Sequence, residues 1–201
     1  MSSSIVAILV VAFVMVLIAV AAWIFMQKRR TNALRSKFGP EYDRAVRAEG
    51  TSKQAERVLA ERQKRIQQFE IKPLSETDRR KFGEAWEQQQ AYFVDQPREA
   101  VRNADKLLTE VMKVRGYPVA DFEQRAADVS VDHPVVVENY RVAHRIALED
   151  SEHPATTEQL REAMIHYRAL FADLLHDGGN YPVSDVLPQN QGAVRAREAR
   201  R

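Results

Sequence analysis

The sequence predicts an all-α chain: a single N-terminal transmembrane helix, a charged stalk helix, and then a compact multi-helix bundle. Three observations carry that prediction. The run from Ile5 to Met26 is 22 apolar residues without interruption. Beyond it, apolar residues recur at three- and four-residue spacing almost to the end, and the two-residue alternation of a half-buried strand is nearly absent.

As a helix at about 1.5 Å per residue, the apolar run extends roughly 33 Å, enough for a bilayer core of about 30 Å. Its Val and Ile content suits a strand in water. In hydrocarbon, however, every backbone donor and acceptor has to pair within the segment, which selects the helix. Trp23 and Phe25 fall at the headgroup end, and Gln27, Lys28, Arg29 and Arg30 close the run. A cleaved signal peptide is the competing reading, because Ala19-Val20-Ala21 has the small-x-small pattern of a cleavage site. Met1 to Ser4 carry no charged side chain, and the core exceeds the roughly 7 to 15 residues of a signal peptide, so retention is expected. Lys28, Arg29, Arg30, Arg35 and Lys37 all follow the span and none precedes it, which places the folded part in the cytoplasm.

Gly39-Pro40 interrupts the juxtamembrane stretch and restarts a short helix through Tyr42 and Val46 towards Gly50. Thr51 and Gln54 have capping-box spacing and open a helix from Ser52 to about Phe69. Its stripe, Ala55, Val58, Leu59, Arg62, Ile66 and Phe69, is thin in apolar residues, as expected of an exposed stalk. Pro73 makes Glu70 to Leu74 an extended connector, and Ser75 caps a helix with Phe82, Trp86, Gln89, Tyr92 and Phe93 on one face.

After Asp95 and Pro97, a helix carries Val101, Ala104, Leu107, Leu108, Val111 and Met112 to a stop at Gly116. Pro118 is expected to start a short helix ending near Ser130, and Asp132-His133-Pro134 to start the next, with Asp132 as its N-cap. Thr156 and Gln159 repeat the capping-box spacing ahead of Leu160, Met164, Tyr167, Phe171, Leu174 and Leu175, and Gly178-Gly179 closes the helix. The expected organisation is therefore an anchor at 1–27, a basic juxtamembrane segment and stalk at 28–70, a bundle at 71–178, and a disordered tail at 179–201.

Composition excludes several function classes. Thirty Lys and Arg stand against 28 Asp and Glu, giving no electrostatic case for a nucleic-acid partner. With no cysteine there is no disulfide, thiolate metal site or Cys nucleophile. Glu-x-x-His, which a carboxylate-bridged di-metal bundle requires, does not occur, and Asp173 with His176 gives an Asp-x-x-His at a helix end, where a His is commonplace. Neither a cofactor nor a metal is expected.

Asp128, Asp132, His133 and Tyr140 form the densest group of acid, base and hydrogen-bonding side chains, and with Tyr117 they are the candidate interaction or cleft residues. Capping accounts for the turn among them without any chemistry. His144 after Tyr140, and His166 after Glu162, read as local pairs on a helix face. Tyr117-Pro118-Val119-Ala120-Asp121 returns as Tyr181-Pro182-Val183-Ser184-Asp185, a repeat through which the tail would dock where the first copy sits, in a neighbouring molecule or in its own domain, as a weak self-association switch.

Lys37-Phe-Gly-Pro-Glu-Tyr-Asp-Arg-Ala-Val46, Arg115-Gly-Tyr-Pro-Val119, Asp121-Phe-Glu-Gln-Arg-Ala-Ala-Asp-Val-Ser-Val-Asp-His-Pro134 and Glu138-Asn-Tyr-Arg141 together resemble a family of uncharacterised bacterial membrane-anchored or secreted helical proteins. The resemblance covers nearly everything from Lys37 to Leu175. It implies a bacterial origin and an anchored helical domain, and brings no activity, cofactor or catalytic residue. Its secreted members imply a second location, exported after cleavage or anchored facing outward. The expectation is a membrane-tethered interaction or scaffold module, partnered by the lipid bilayer and by an unidentified protein or a second copy. The alternative is a small-ligand-binding or hydrolytic domain that uses the Asp/His/Tyr cluster around residues 128–140.

Overall fold

The computed structural model describes residues 2–176, with side chains described for 13–150 and 153–176; the tail expected at 179–201 lies outside the described residues. Among these are eight helices and no strand: α1 (Ser2–Phe38), α2 (Pro40–Glu49), α3 (Ser52–Ile66), α4 (Glu76–Tyr92), α5 (Pro97–Arg115), α6 (Phe122–Val129), α7 (Val137–Glu152) and α8 (Thr157–Leu175). The chain divides into two compact units, at Ala60 and Glu61 inside α3.

In the first unit, α1 carries the apolar run onward as a single helix as far as Phe38. Every described side chain from Phe13 to Met26 is exposed, with Phe13 at 64%, Trp23 at 66% and Met26 at 69%. Among the described residues no helix is long and apolar enough to cross a membrane. The fourteen residues from Phe13 to Met26 amount to about 21 Å of helix, short of the roughly 30 Å hydrocarbon core that the expected transmembrane helix has to span. Gly39 breaks the helix at φ 46°, where Pro40 opens α2, and Gly50 closes α2 in the left-handed region at φ 75°. Leu34, Phe38, Tyr42, Ala45, Ala55 and Leu59 are buried, and the Glu56 carboxylate on α3 accepts from the Thr31 hydroxyl at 2.7 Å and the Tyr42 hydroxyl at 3.1 Å. Part of the thin stripe of the expected stalk is covered: Ala55 and Leu59 are fully buried and Ile66 nearly so, Val58 is half-buried, and Phe69 is exposed beyond the end of α3 at Ile66.

The second unit is a bundle in which α8 packs against both α5 and α7, and α4 packs against α5. Capping sets most of the helix starts. Ser75 accepts from the Asp78 amide at 3.1 Å, Asp121 from the Gln124 amide at 2.9 Å, and Thr156 with Gln159 forms a complete capping box. Trp86 is buried and stacks on Phe171, with ring centroids 4.6 Å apart. Tyr92, expected on the same face, is 42% exposed; there α4 runs out into the tight turn in which the Asp95 amide donates to the Tyr92 carbonyl.

Two expected starts are corrected. Pro118 lies in extended chain, and α6 begins at Phe122, because Asp121 provides the cap. Asp132 does not cap α7, which starts at Val137 without a side-chain cap. The amides of Asp132 and His133 both donate back to the Val129 carbonyl, so this segment continues the end of α6 as turns and leaves the Asp132 carboxylate available elsewhere.

Gly116 closes α5 at φ 94° and is held close to the connector: the Lys72 amide donates to the Arg115 carbonyl at 2.8 Å, and a Cβ on Gly116 would stand 2.4 Å from the Glu70 carbonyl oxygen. Gly116→Ala therefore meets both backbone strain and a backbone clash. It is expected to lower stability by about 1–3 kcal/mol, read from denaturant unfolding, whereas Gly83→Ala, with open space at its Cβ, is expected to be neutral or mildly stabilising.

Candidate functional site

Tyr117, Asp128, Asp132, His133 and Tyr140 are divided among separate partners, and the second copy of the repeat, Tyr181 to Asp185, lies outside the described residues. The left-handed turn at Gly116 brings Tyr117 back over the end of the bundle, where its buried hydroxyl donates to Asp132 Oδ2 at 2.9 Å. Burial, and then the facing Asp132 carboxylate, push the Tyr117 phenol well above its ordinary value, so it remains a neutral donor. His133, the next residue, turns inward with 3% of its surface exposed, and its Nδ1 lies 2.5 Å from Asp173 Oδ2 on α8. Its ring is tilted against Tyr117 at 6.2 Å between centroids.

Asp128 is fully buried on α6. It accepts from Gln124 Nε2 at 2.8 Å and from Arg65 Nε at 3.1 Å. Tyr140, also fully buried, has its hydroxyl oxygen on α7 accepting from Arg125 Nε at 2.8 Å, and its ring packs against Phe122 and Tyr167. Only Tyr117 and Asp132 of the five bond to each other. The remaining three reach Asp173, Arg65 and Arg125, each at least 15 residues away in sequence.

Sequence reasoning missed those three partners, together with a polar group that extends from the half-buried surface to two core tyrosines. Asp105 on α5, Arg125 on α6, Tyr140 and His144 on α7 and Tyr167 on α8 influence one another electrostatically. Tyr167 presents itself in the sequence only as one more residue of the α8 apolar stripe, and nothing in its spacing marks it as facing an acid. Burial comes first and the Asp105 carboxylate second in raising the phenols of Tyr140 and Tyr167. His144, read as a neighbour of Tyr140, instead stacks on Phe122 with centroids 3.5 Å apart and planes 7° from parallel. His166 stands 3.7 Å from Glu162, as its spacing implied, and also 2.9 Å from Asn139 Oδ1 on α7.

Chemically these are ties. Arg115 on α5 donates to the Leu174 carbonyl at 2.6 Å, satisfying an orphan acceptor in the last turn of α8, and His133 reaches the same turn through Asp173. Among the described residues no Ser or Thr hydroxyl is hydrogen-bonded to His133, which pairs with Asp173 through Nδ1 and whose Nε2 is buried without a hydrogen-bond partner. No group of three or more His, Cys, Asp or Glu side chains among the described residues is arranged to hold a metal ion, and Asp173 pairs with His133. No family model, curated protein or solved structure matches the chain.

Tyr140→Phe removes the acceptor of Arg125 Nε and is expected to cost about 1–3 kcal/mol, measured by denaturant unfolding, with Tyr92→Phe at an exposed position as the control. Burial lowers the pKa of His144 and of His166; Asp105 and Glu162, respectively, oppose that shift, and Arg125 and Arg145 add to it. Both rings fold in the neutral form. Their contribution to stability is complete above the unfolded value of about 6.5 and disappears as pH falls through the depressed folded values. The melting temperature should fall between about pH 7 and pH 5, and His144→Gln with His166→Gln should flatten that slope.

Proposed function

We propose that the chain is a membrane-tethered interaction or scaffold module: a single-pass anchor at Ile5 to Met26 carrying a helical domain at the membrane surface. The observation that carries this reading is the all-round exposure of the apolar side chains from Phe13 to Met26 on a helix that continues unbroken past Lys28, Arg29 and Arg30. A helix in water keeps one face apolar and the other polar. One that is apolar on every side belongs in a protein core or in lipid. The eight further apolar residues from Ile5 to Ala12 bring the run to 22, long enough for a bilayer core of about 30 Å.

The cationic flank favours a cytoplasmic domain. A scaffold role rather than hydrolysis is supported by the fates of Tyr117, Asp128, Asp132, His133 and Tyr140, each engaged in a bond between elements of the fold instead of facing a common substrate. Partners at such a surface would be a protein or a second copy of this chain.

Alkaline extraction of membranes from expressing cells tests the anchor: the full chain is expected in the pellet, with an intact N-terminus by mass spectrometry. Protease added to sealed spheroplasts is expected to leave the domain uncut. A chain that begins near Ala22 and is recovered in the soluble fraction would overturn the reading.

A further inference from the structure

We infer that the first unit holds a binding site for the headgroup of an anionic phospholipid, in a groove along α1 where the apolar run gives way to charge. The inference rests on the anchor reading and names its partner chemistry. An open groove of about 290 Å³ is lined by Trp23, Ile24, Gln27, Lys28, Thr31 and Asn32. These residues form two adjacent rows at four-residue spacing, 23, 27, 31 and 24, 28, 32, so they share one helix face. From Trp23 to Asn32 the face runs about 14 Å, through the depth at which an indole prefers the headgroup level. Its upper end is apolar. Lys28 then supplies a charge for a phosphate, and Gln27 and Asn32 supply amide donors for the ester and glycerol oxygens.

The charge around the groove selects the sign of the ligand. From Lys28 to Ala60 there are nine Lys and Arg against four Asp and Glu, a net +5, whereas from Glu61 onward 21 stand against 24, a net −3. Two of the four acids in the first unit, Glu41 and Glu56, are buried. Glu56 accepts from Thr31 at the lower end of the groove and so ties α3, on which Lys53 and Arg57 are exposed, to the stretch of α1 on which Arg29 and Arg30 are exposed. Exposed cations of this kind are attracted to anionic lipid when they lie near its surface.

The test uses the full wild-type chain reconstituted in vesicles of phosphatidylcholine and phosphatidylglycerol, with bromine on the acyl chains of one lipid or the other at equal mole fraction. Trp23 reports the groove, and Trp86, buried against Phe171, supplies a constant background. Brominated phosphatidylglycerol is expected to quench as though enriched several-fold around Trp23. Lys28→Gln should remove on the order of fivefold of that enrichment, and Asn32→Ala should reduce it without changing any charge. Equal quenching by the two brominated lipids overturns the site and leaves the anchor standing. Enrichment that survives Asn32→Ala unchanged overturns the groove in favour of diffuse attraction. An absence of quenching by either lipid overturns the anchor as well.

Discussion

The larger unit depends on the burial of α8. Leu160, Ala163, Met164, Tyr167, Ala169, Leu170, Phe171, Leu174 and Leu175 are all covered, so this helix loses water on more than one face and its neighbours are arranged to remove it. Trp86 of α4 stacks on Phe171, and α5 and α7 pack along its length. A helix enclosed in this way leaves its last carbonyls far from solvent, and an unpaired buried acceptor costs about 1–3 kcal/mol. Arg115 answers that cost at the Leu174 carbonyl. Because Arg115 ends α5, the left-handed Gly116 turn, the return of Tyr117 and the docking of the connector at Lys72 all follow from where that guanidinium has to be.

The buried polar groups add specificity more than stability. Asp128 and His133 are nine-tenths buried or more, and each is paired with a residue remote in sequence, Asp128 with Arg65 and His133 through Nδ1 with Asp173. Removing such groups from water offsets much of what pairing returns, and the Arg65 side of the Asp128 pair is 42% exposed, which weakens it further. What the pairings do is forbid alternatives. A bundle of similar amphipathic helices admits several rotations of each helix about its axis, and only one of them brings Asp173 to His133 and Arg125 to Tyr140 at the same time.

That division explains what was legible in the sequence. Signals that act within a turn were readable: Ser75 and Thr156 cap the helices they were expected to cap, Gly50 and Gly116 end α2 and α5, and Pro40 and Pro97 open helices. Asp132 misled because its carboxylate has two good uses. Local capping is the one a sequence displays, and the bond from Tyr117, 15 residues away, is the one the fold realises. The candidate site fared likewise. Its residues were found by type, but their partners Arg65, Asp105, Arg125 and Asp173 lie on other helices, and no periodicity along one helix encodes the rotation of its neighbour. The thin stripe of α3 reads as exposed for the same reason, since Leu59 gives no sign of what covers it.

The continuity of α1 gives the first unit its physical character. From Met26 to Phe38 the helix rises about 18 Å without a glycine or proline, so the apolar run is joined as a rigid lever to Leu34 and Phe38, the first side chains that the fold covers. The lever is fastened at Thr31, where Glu56 also binds Tyr42 from α2. One carboxylate therefore ties together α1, α2 and α3 within a region dominated by cations. Burial and the Glu56 carboxylate both raise the Tyr42 phenol, which keeps it a donor across the physiological range. The charge excess around this tie repels itself unless anions are near, and the same excess that makes the unit costly to fold in isolation makes it favourable against a negatively charged surface.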